Sequence, residues 1–321
     1  MKGLTDIPGV RVGHASNHEA LTGCTVILCE KGAVAGYDIR GGATGTCEFE
    51  VMNPLHVTPT IHAVVLAGGS AFGLEAACGV RRYLESKGIG FTTPAGPVPI
   101  VPSAILYDLG IGKKHIRPTR EMGEAAAAAA TTDAVAEGNV GAGTGASVGK
   151  LYGMARAMKA GIGSATVELT GPFAGIRVAA LAAVNALGDV RDPATGKVIA
   201  GARASASSRE FADTAAAMKA GAFGGFRREN TTLVVVATNA KLTKVQATKL
   251  AQLGQHGMVR TLSPAHTMSD GDLVIALANG TNEVPVDVLG IAAAEAVAEA
   301  ILRGVRMAES AGGLPGLRDR G

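Results

Sequence analysis

Aromatic residues and unbalanced charge are scarce in this sequence, and both shortages argue against nucleic-acid binding. Tryptophan is absent and aromatic side chains make up 3% of the 321 residues, too few for the stacking platforms that bind single-stranded nucleic acid. Basic and acidic residues number 30 and 27, for a net charge of +3. Because a dedicated nucleic-acid binder carries a larger basic excess, we expect no nucleic-acid partner.

Cysteine and long apolar runs are scarce as well. Four cysteines without a CxxC pair do not make a disulfide framework in a chain of this length, and buried, reduced thiols are the simpler interpretation. The apolar run at 178–184 is far shorter than the roughly 18 residues of a membrane span. The first residues lack the apolar segment of a secretory signal. We therefore expect a cytoplasmic protein that does not associate with membranes.

Glycine and small apolar residues, in contrast, are abundant. The chain has 45 glycines, and 47% of its residues are hydrophobic against 18% charged, a composition that excludes disorder. Short β-branched runs alternate irregularly with longer alanine-rich runs. This pattern predicts an α/β protein whose sheets are covered by helices on their outer faces, rather than a plain doubly wound sheet. No linker is visible, so the prediction is one domain over residues 1–321.

The hydrophobic pattern places the individual elements. It predicts strands at 25–29 and 33–37 with a turn at 30–32 between them, and further strands at 61–66, 165–169, 177–184, 232–238 and 273–278. It predicts helices at 71–86, 122–137, 210–219, 244–255 and 286–307. Three irregular segments rich in glycine and polar residues, 40–49, 139–150 and 220–230, are the places where a functional site is expected.

The glycine-rich segment 141–150 looks at first like a phosphate-binding loop. The intervals between Gly143, Gly145 and Gly149 do not match the four residues that a P-loop requires, and Leu151 follows Lys150 where a hydroxyl residue is needed. A dinucleotide-binding fingerprint also fails, because no strong strand precedes the glycines. The segment is therefore a pliable loop that presents Lys150, either as a solvated cation or as a cation close to a site rich in backbone groups.

Two carboxylates, Asp270 and Asp272, stand immediately before a predicted strand. On an extended segment, residues i and i+2 point to one face, so these like charges disfavour joint ionisation. Such a pair could bind a hard cation or orient a positive group, or it could simply belong to a turn that opens the strand. No further oxygen ligand is identifiable, and the histidines, such as His14 and His18, form no convincing set. We expect no metal ion.

The dipeptide Asn230-Thr231 precedes the most apolar β-run of the chain. It could be a simple strand entry. Chemically, it also suits an internal acyl shift, in which the Thr231 hydroxyl attacks the Asn230 carbonyl carbon and the resulting ester is hydrolysed. That reaction exposes Thr231 as a new amino terminus, and an amino-terminal threonine carries its own base, an α-amine of pKa about 8.

Together, these segments resemble the self-cleaving aminopeptidases typified by L-aminopeptidase/D-Ala-esterase and the β-peptidyl aminopeptidases. The resemblance rests on TDIPGVRVG from Thr5, DIRGGA from Asp38, LAGGSAFGLEAACGV from Leu66, NVGAGTGASVGK from Asn139, AAVNALGD from Ala182, NTTLVVVATNA from Asn230 and HTMSDGD from His266. It covers nearly the whole chain in order. Within the family, the sequence is most similar to the branch of nylon-oligomer hydrolases, which cut 6-aminohexanoate oligomers.

The resemblance implies a four-layer αββα sandwich, similar to N-terminal-nucleophile hydrolases. It also implies that the precursor cuts itself between Asn230 and Thr231 into a large chain, 1–230, and a small chain, 231–321, that stay together. Thr231 would then be the nucleophile, where many aminopeptidase members have serine. Lys150 matches a lysine that contacts the nucleophile.

Two further matches complete the site that the resemblance implies. Asn185 matches an asparagine whose amide helps to hold the oxyanion. Asp270 and Asp272 match the acidic pair of the threonine enzymes, and Asp270 departs from the Ser-Gly-Glu of the aminopeptidase members.

The function expected from this resemblance is hydrolysis of peptide-like or ω-amino-acid amide bonds, without a cofactor, through an acyl ester on Thr231. The substrate would be a small peptide or amide, and the acidic pair could receive its ammonium group. Relatives form tetramers or larger rings, so a homo-oligomer is expected, a tetramer of processed units. Two alternatives stay open: an acyltransferase of the ornithine-acetyltransferase type on the same fold, and a non-catalytic small-molecule binding protein.

Overall fold

The computed structural model describes residues 1–222 and 230–320. The predicted irregular segment at 220–230 falls mainly on residues 223–229, which lie outside the described residues. The helices are α1 (Ala76–Ser86), α2 (Arg120–Ala128), α3 (Thr214–Lys219), α4 (Lys244–Thr261) and α5 (Val286–Arg306). The strands are β1 (Arg11–Asn17), β2 (Thr22–Ile39), β3 (Gly45–Cys47), β4 (Ile61–Ala67), β5 (Phe91–Thr93), β6 (Gly96–Val98), β7 (Ser103–Ile105), β8 (Ser147–Val148), β9 (Met158–Lys159), β10 (Ile162–Glu168), β11 (Arg177–Asn185), β12 (Asp189–Arg191), β13 (Val198–Ala200), β14 (Thr231–Lys241), β15 (Leu262–Ser263) and β16 (Leu273–Glu283).

The main strands form two sheets that share the long strand β2. In one sheet, the first half of β2 pairs with β1 and β4, and β4 continues through β7 to β3. In the other, the strand order is β10, β11, β14, β16 and the second half of β2. The pairs are antiparallel except β14 with β16 and β4 with β7, which are parallel.

Three apolar cores show that these sheets lie between two layers of helices. Leu233 and Val235 of β14 pack with Ile27 and Val64 in the core between the sheets. The intervening residue Val234 points to the opposite face, as strand geometry requires, and packs in a core with α4 and α5. The outer face of the other sheet packs on α1 and α2. The prediction of a four-layer αββα sandwich is therefore confirmed.

Small residues allow the layers to approach closely. Within the outer layer of α1 and α2, a Cβ atom added at Gly79 would overlap the carbonyl oxygen of Arg120, and one added at Gly123 would overlap that of Ala76. On the opposite side, Gly163 of β10 lies against the backbone of α5 in the same way. The abundance of glycine in the sequence thus has a structural cause, because these contacts join backbone to backbone.

Several local predictions were wrong. The turn predicted at 30–32 does not form, because β2 runs continuously from one sheet into the other, with an irregularity where its pairing with β4 shifts. The helix predicted at 122–137 ends at Ala128, since Thr131 pairs with Val12 of β1. The helix predicted at 71–86 begins with a 3-10 turn over Ser70–Glu75.

Two further corrections concern α3 and the cysteines. The helix predicted at 210–219 is confined to Thr214–Lys219. All four cysteines are free, as predicted, but Cys47 and Cys78 are exposed rather than buried.

Candidate functional site

The predicted site residues meet where three neighbouring strands begin or end. The parallel strands β14 and β16 start at Thr231 and Leu273, and an isolated bridge between Asn230 and Asp270 continues their register three residues before their first ladder pair. On the other side of β14, Asn185 at the end of β11 is paired directly with Thr231. Residues that are far apart in the sequence thus lie side by side at the ends of β11, β14 and β16, in the middle of one sheet.

The Asn230 carbonyl oxygen is the focus of this site. It accepts a very short hydrogen bond from the Thr231 hydroxyl and a second bond, of 2.8 Å, from the backbone N–H of Gly271. Asn230 and Thr231 are buried, each with 3% of its surface exposed. The hydroxyl therefore lies against its own peptide bond, and a backbone donor is already aimed at the oxygen of that bond.

Asp272 fixes the start of β14. One carboxylate oxygen accepts a 2.7 Å hydrogen bond from the backbone N–H of Thr232. The other accepts a 2.9 Å bond from the backbone N–H of His266 and lies 3.2 Å from Nδ1 of the same residue. Because Asp272 has no exposed surface, its position relative to Thr231 is set by these contacts with the protein.

Asp270 is buried beside it, with 1% of its surface exposed. Its carboxylate accepts a 3.0 Å hydrogen bond from the backbone N–H of Leu187 and a very short one from the Thr267 hydroxyl. Burial, and after it the charge of Asp272, raise the pKa of Asp270 to about 6, although Thr267, Leu187 and the Lys150 charge act in the opposite direction. The site therefore contains two adjacent carboxylates, whose joint ionisation is unfavourable.

Lys150 and Asn185 form the third part of the site. The Lys150 ammonium donates 2.8 Å hydrogen bonds to both the backbone oxygen and the side-chain oxygen of Asn185. The side-chain oxygen also accepts from the backbone N–H of Ser147 at 3.0 Å, while Nδ2 donates to the Tyr107 carbonyl at 3.0 Å. Asn185 is fully buried, and its amide orientation is determined at both ends.

The glycine-rich segment after β2 wraps the acidic pair. The backbone N–H groups of Arg40 and Gly41 donate to the Asp272 carbonyl, and that of Ala43 donates to the Asp270 carbonyl. A Cβ atom at Gly41 would overlap the backbone between the two aspartates. The DIRGGA motif thus supports the backbone of the two aspartates.

Sequence reasoning missed the groups that act through their backbone. Gly271, Ser147, Leu187 and Tyr107 contribute N–H or carbonyl groups, and, with the exception of Gly271, their residue types carry no signal. The sequence analysis assigned no role to His266. In the structure this residue has a positive φ of 57°, and both its backbone N–H and its ring Nδ1 face one oxygen of Asp272. For Gly271 alone a signal exists, since the glycine between two aspartates leaves room for the Thr231 hydroxyl.

Within residues 1–222 and 230–320, no group of three or more histidine, cysteine or acidic side chains is arranged to hold a metal ion. The two aspartates of the site accept hydrogen bonds from protein groups at all four carboxylate oxygens. None of the helices in this described part is long and apolar enough to cross a membrane.

The fold is that of a variant of the N-terminal-nucleophile hydrolases. The L-aminopeptidase D-Ala-esterase/amidase of Ochrobactrum anthropi, described as a new variant of that fold, superposes with a TM-score of 0.75 at 20% identity, covering 98% of this chain and 88% of its own. A β-aminopeptidase of a Burkholderia species superposes with a TM-score of 0.71 at 22% identity, covering 98% of this chain and 90% of its own.

The chain belongs to peptidase family S58, whose model matches residues 2–318. An uncharacterised aminopeptidase of Mycobacterium tuberculosis is 39% identical over 347 aligned positions, covering 99% of this chain and 98% of that protein. The 6-aminohexanoate-oligomer endohydrolase of a Kocuria species is 31% identical over 282 positions, covering 87% and 76%. The family resemblance inferred from the motifs is confirmed, and the protein is a hydrolase that acts on amide or peptide bonds.

Proposed function

We propose that this protein cuts its own chain between Asn230 and Thr231 and then hydrolyses amide bonds with Thr231 as its amino-terminal nucleophile. The processed enzyme would consist of a large chain, 1–230, and a small chain, 231–321. The observation that carries the proposal is the arrangement around one oxygen: the Thr231 hydroxyl and the Gly271 N–H both bond to the Asn230 carbonyl.

Self-cleavage proceeds as an acyl shift followed by hydrolysis. The Thr231 oxygen attacks the Asn230 carbonyl carbon, and the Gly271 N–H stabilises the negative charge that develops on the carbonyl oxygen. The C–N bond breaks, the hydroxyl proton passes to the leaving nitrogen, and an ester joins Asn230 to the Thr231 side chain. Water then hydrolyses the ester, giving a carboxylate on Asn230 and free hydroxyl and amine groups on Thr231.

The new α-amine of Thr231 supplies the base for substrate hydrolysis. In its neutral form it accepts the proton of the hydroxyl as the latter attacks a substrate carbonyl, and the leaving amine of the substrate takes a proton in turn. Water then releases the acyl group from Thr231. The positive charge of Lys150 lowers the pKa of the amine, and the negative charges of Asp270 and Asp272 raise it.

Asn185 positions Lys150 and supports the oxyanion. Its side-chain oxygen receives Lys150 and Ser147, and one hydrogen of Nδ2 bonds to Tyr107. The second Nδ2 hydrogen is the group that we propose for the oxyanion of the substrate reaction, because Asn185 is paired directly with Thr231. In the precursor, the donor on the Asn230 oxygen is Gly271.

The acidic pair is better suited to orienting the nucleophile than to binding a substrate ammonium. Asp270 and Asp272 have at most 1% of their surface exposed, and each of their oxygens already accepts a hydrogen bond from the protein. The substrate class that we propose is a small peptide or an ω-amino-acid amide, since the relatives include proteins named as aminopeptidases and as 6-aminohexanoate-oligomer endohydrolases.

A direct assay separates hydrolysis from acyl transfer. Purified protein is incubated with amino-acid p-nitroanilides and with linear 6-aminohexanoate oligomers, in the presence and absence of ornithine as an acyl acceptor. We expect free acid as the product, an acyl adduct on the 231–321 chain in quenched samples, and no product with Thr231→Ala. Acylated ornithine as the main product would favour the acyltransferase alternative, and binding without turnover would favour the non-catalytic one.

The remaining parts of the proposal concern the protein as a whole. We propose a homo-oligomer, a tetramer of processed units, in the cytoplasm, without a membrane or nucleic-acid partner. The balanced charge supports the last point. Sedimentation of the purified protein tests the oligomeric state.

A further inference from the structure

A lysine outside the site described above is completely buried against the glycine-rich segment 141–150, which ends at Lys150. Lys159 of β9 has no exposed surface, which is rare for lysine unless its charge is compensated. Its ammonium donates to the carbonyl oxygens of Gly143, Ala146 and Ala160 at 3.1, 2.9 and 2.6 Å. These bonds use all three of its protons, and two of them hold the loop that ends at Lys150.

One of these bonds connects Lys159 to the site. The carbonyl of Ala146 and the N–H of Ser147 belong to the same peptide unit, and that N–H donates to the side-chain oxygen of Asn185, which also receives Lys150. A charged donor on the carbonyl side polarises a peptide and strengthens the bond that its N–H donates. A continuous series of hydrogen bonds therefore leads from Lys159 to Asn185 and Lys150.

A buried carboxylate, Asp108, interacts with the Lys159 charge and lies next in the chain to the second partner of the Asn185 amide. Asp108 follows Tyr107, whose carbonyl accepts the Asn185 Nδ2 hydrogen bond. Its oxygens accept 2.7 Å bonds from the Gly69 N–H and the Thr22 hydroxyl. Burial raises the pKa of Asp108 to about 6 and lowers that of Lys159 to about 7, and the charge of each partly offsets the shift of the other.

A purely structural role explains this arrangement poorly. Burying an ammonium and a carboxylate is costly, and well-packed apolar side chains usually serve stability as well or better. Lys159 instead bonds to the peptide that contains the Ser147 N–H, and Asp108, anchored by Gly69 and Thr22, directly follows Tyr107. The Ser147 N–H and the Tyr107 carbonyl fix the two ends of the Asn185 amide.

We propose that Lys159 is a positioning residue that acts through the Ala146–Ser147 peptide to hold Asn185 and Lys150 in their reactive arrangement, with Asp108 as its countercharge. The inference rests on the proposed function, since it gives Lys159 a part in both self-cleavage and amide hydrolysis. Lys159 does not touch the reacting atoms, so its removal impairs the reaction without abolishing the nucleophile.

The first test compares Lys159→Met with Thr144→Val as a matched control. Methionine is an unbranched side chain only one atom shorter than lysine, and it removes the charge. Thr144 is fully buried in the same loop and donates to the Gly141 carbonyl at 2.7 Å, away from the Ala146–Ser147 peptide. Both variants should melt at a lower temperature than the wild type.

The two variants should differ in their reaction rates. For Lys159→Met, we expect self-cleavage and kcat to fall about 10- to 100-fold, because small displacements of a catalytic group have effects of this size, while KM changes by less than about threefold. Thr144→Val should keep both rates within about threefold of the wild type. Equal rates in the two folded variants would overturn the inference, and a wild type that never self-cleaves would overturn it together with the proposed function.

A second variant keeps the test decisive if Lys159→Met does not fold. Asp108→Asn retains the shape of the side chain: its oxygen can still accept from the Gly69 N–H, and its NH2 group can donate to the Thr22 hydroxyl, which is able to reverse its role. The charged group that acts on Lys159 is Asp108. The loop that Lys159 contacts, residues 141–149, carries no titratable side chain, and the ammonium of the next residue, Lys150, binds Asn185. Loss of the Asp108 charge makes Lys159 lose its proton at a lower pH.

The expected result is therefore a shift in a pH profile. Self-cleavage of the wild-type precursor should decline as the pH rises through about 7, the pKa of Lys159, and no terminal amine at Thr231 exists yet to complicate this limb. In Asp108→Asn, the decline should begin at a lower pH. An unchanged alkaline limb in this variant would contradict the role given to Lys159.

Discussion

At the scale of single residues, the site is built on main-chain donors that hold a small number of side chains. Thr231, Asp270 and Asp272 could be singled out from the sequence because their chemistry depends on residue type and spacing. Their partner Leu187 could not, since it acts through an N–H group that every residue except proline possesses.

Gly271 offers the sharpest test at this scale. A Cβ atom at this position would lie 2.6 Å from the Thr231 hydroxyl oxygen, so Gly271→Ala should displace the nucleophile from the Asn230 carbonyl. We expect self-cleavage to slow by about 100-fold, the effect of a displacement near 1 Å, as followed by gel electrophoresis over time. Gly110→Ala is the matched control, because its Cβ would meet its nearest neighbours at 3.8 and 4.0 Å. Equal processing of the two variants would contradict the role of Gly271.

The raised pKa of Asp270 leads to a prediction about stability. The pKa lies at about 6 in the folded protein against a model value of 3.8, so the folded state holds this proton more tightly than the unfolded state. Between about pH 4 and 6, stability contributed by this group is lost as the pH rises. At pH 7.5 the ionised, buried carboxylate costs on the order of 1–3 kcal/mol.

Asp270→Asn should therefore stabilise the fold at neutral pH. We expect a higher urea midpoint than that of the parent at pH 7.5 and a smaller gain at pH 4, with both proteins carrying Thr231→Ala so that each remains one chain. Asp287→Asn, the same exchange at an exposed position of α5, should change stability by less than about 0.5 kcal/mol. A gain that is equal at both pH values would show that the Asp270 charge is not its origin.

At the scale of elements, the long apolar strands and amphipathic helices were predictable, and the ends of elements were not. The strand predicted at 61–66 and the helix predicted at 286–307 agree closely with β4 and α5. The helix is long enough to show its period, and the strand is a short, continuous apolar run that ends at turn residues. The alanine run after Ala128 has high helix propensity, yet Thr131 pairs with Val12 instead. Such tertiary pairing cannot be read from local composition.

Contact between α1 and α2 gives a prediction in which helix propensity and packing act in opposite directions. Gly123→Ala would gain about 1 kcal/mol from helix propensity, but the added methyl overlaps the Ala76 carbonyl oxygen, and overpacking typically costs about 1–3 kcal/mol. We expect a net loss of stability in urea unfolding, measured in the Thr231→Ala background. The matched control is Gly254→Ala in α4, where the added Cβ atom would meet only side-chain carbons, at 3.2 Å and beyond, so that stability should be unchanged or raised. A stabilised Gly123→Ala would mean that the two helices can move apart without cost.

At the scale of the whole molecule, the proposed cut would not separate the two chains. The small chain would contain β14 and β16, paired with each other, while their outer neighbours β11 and β2 belong to the large chain. Backbone hydrogen bonds and two apolar cores therefore join the chains on both sides of the cut.

Both chains should accordingly stay together after processing. We expect chains 1–230 and 231–321 to co-elute in gel filtration under native conditions and to separate only in concentrated guanidinium chloride. Release of the small chain in native buffer would contradict the assignment of β14 and β16 to the centre of the sheet between β11 and β2.

The overall architecture of the molecule followed from its motifs, which run in order along nearly the whole chain and match the family model over residues 2–318. Composition alone indicated only sheets covered by helices. The sharing of β2 by both sheets had no local signal, since residues 30–32 read as a turn in the sequence, whereas the strand continues through them in the structure.

The most direct test of the proposed self-cleavage is the intact mass of the purified protein, wild type beside Thr231→Ala. The whole chain has a mass of 32.1 kDa. Division at Thr231 would give fragments of about 23 and about 9 kDa, estimated from about 100 Da per residue. We predict these two fragments for the wild type and one undivided chain for Thr231→Ala. A wild-type chain that stays whole after prolonged incubation, or a Thr231→Ala chain that is cut at the same bond, would contradict Thr231 as the self-generated nucleophile.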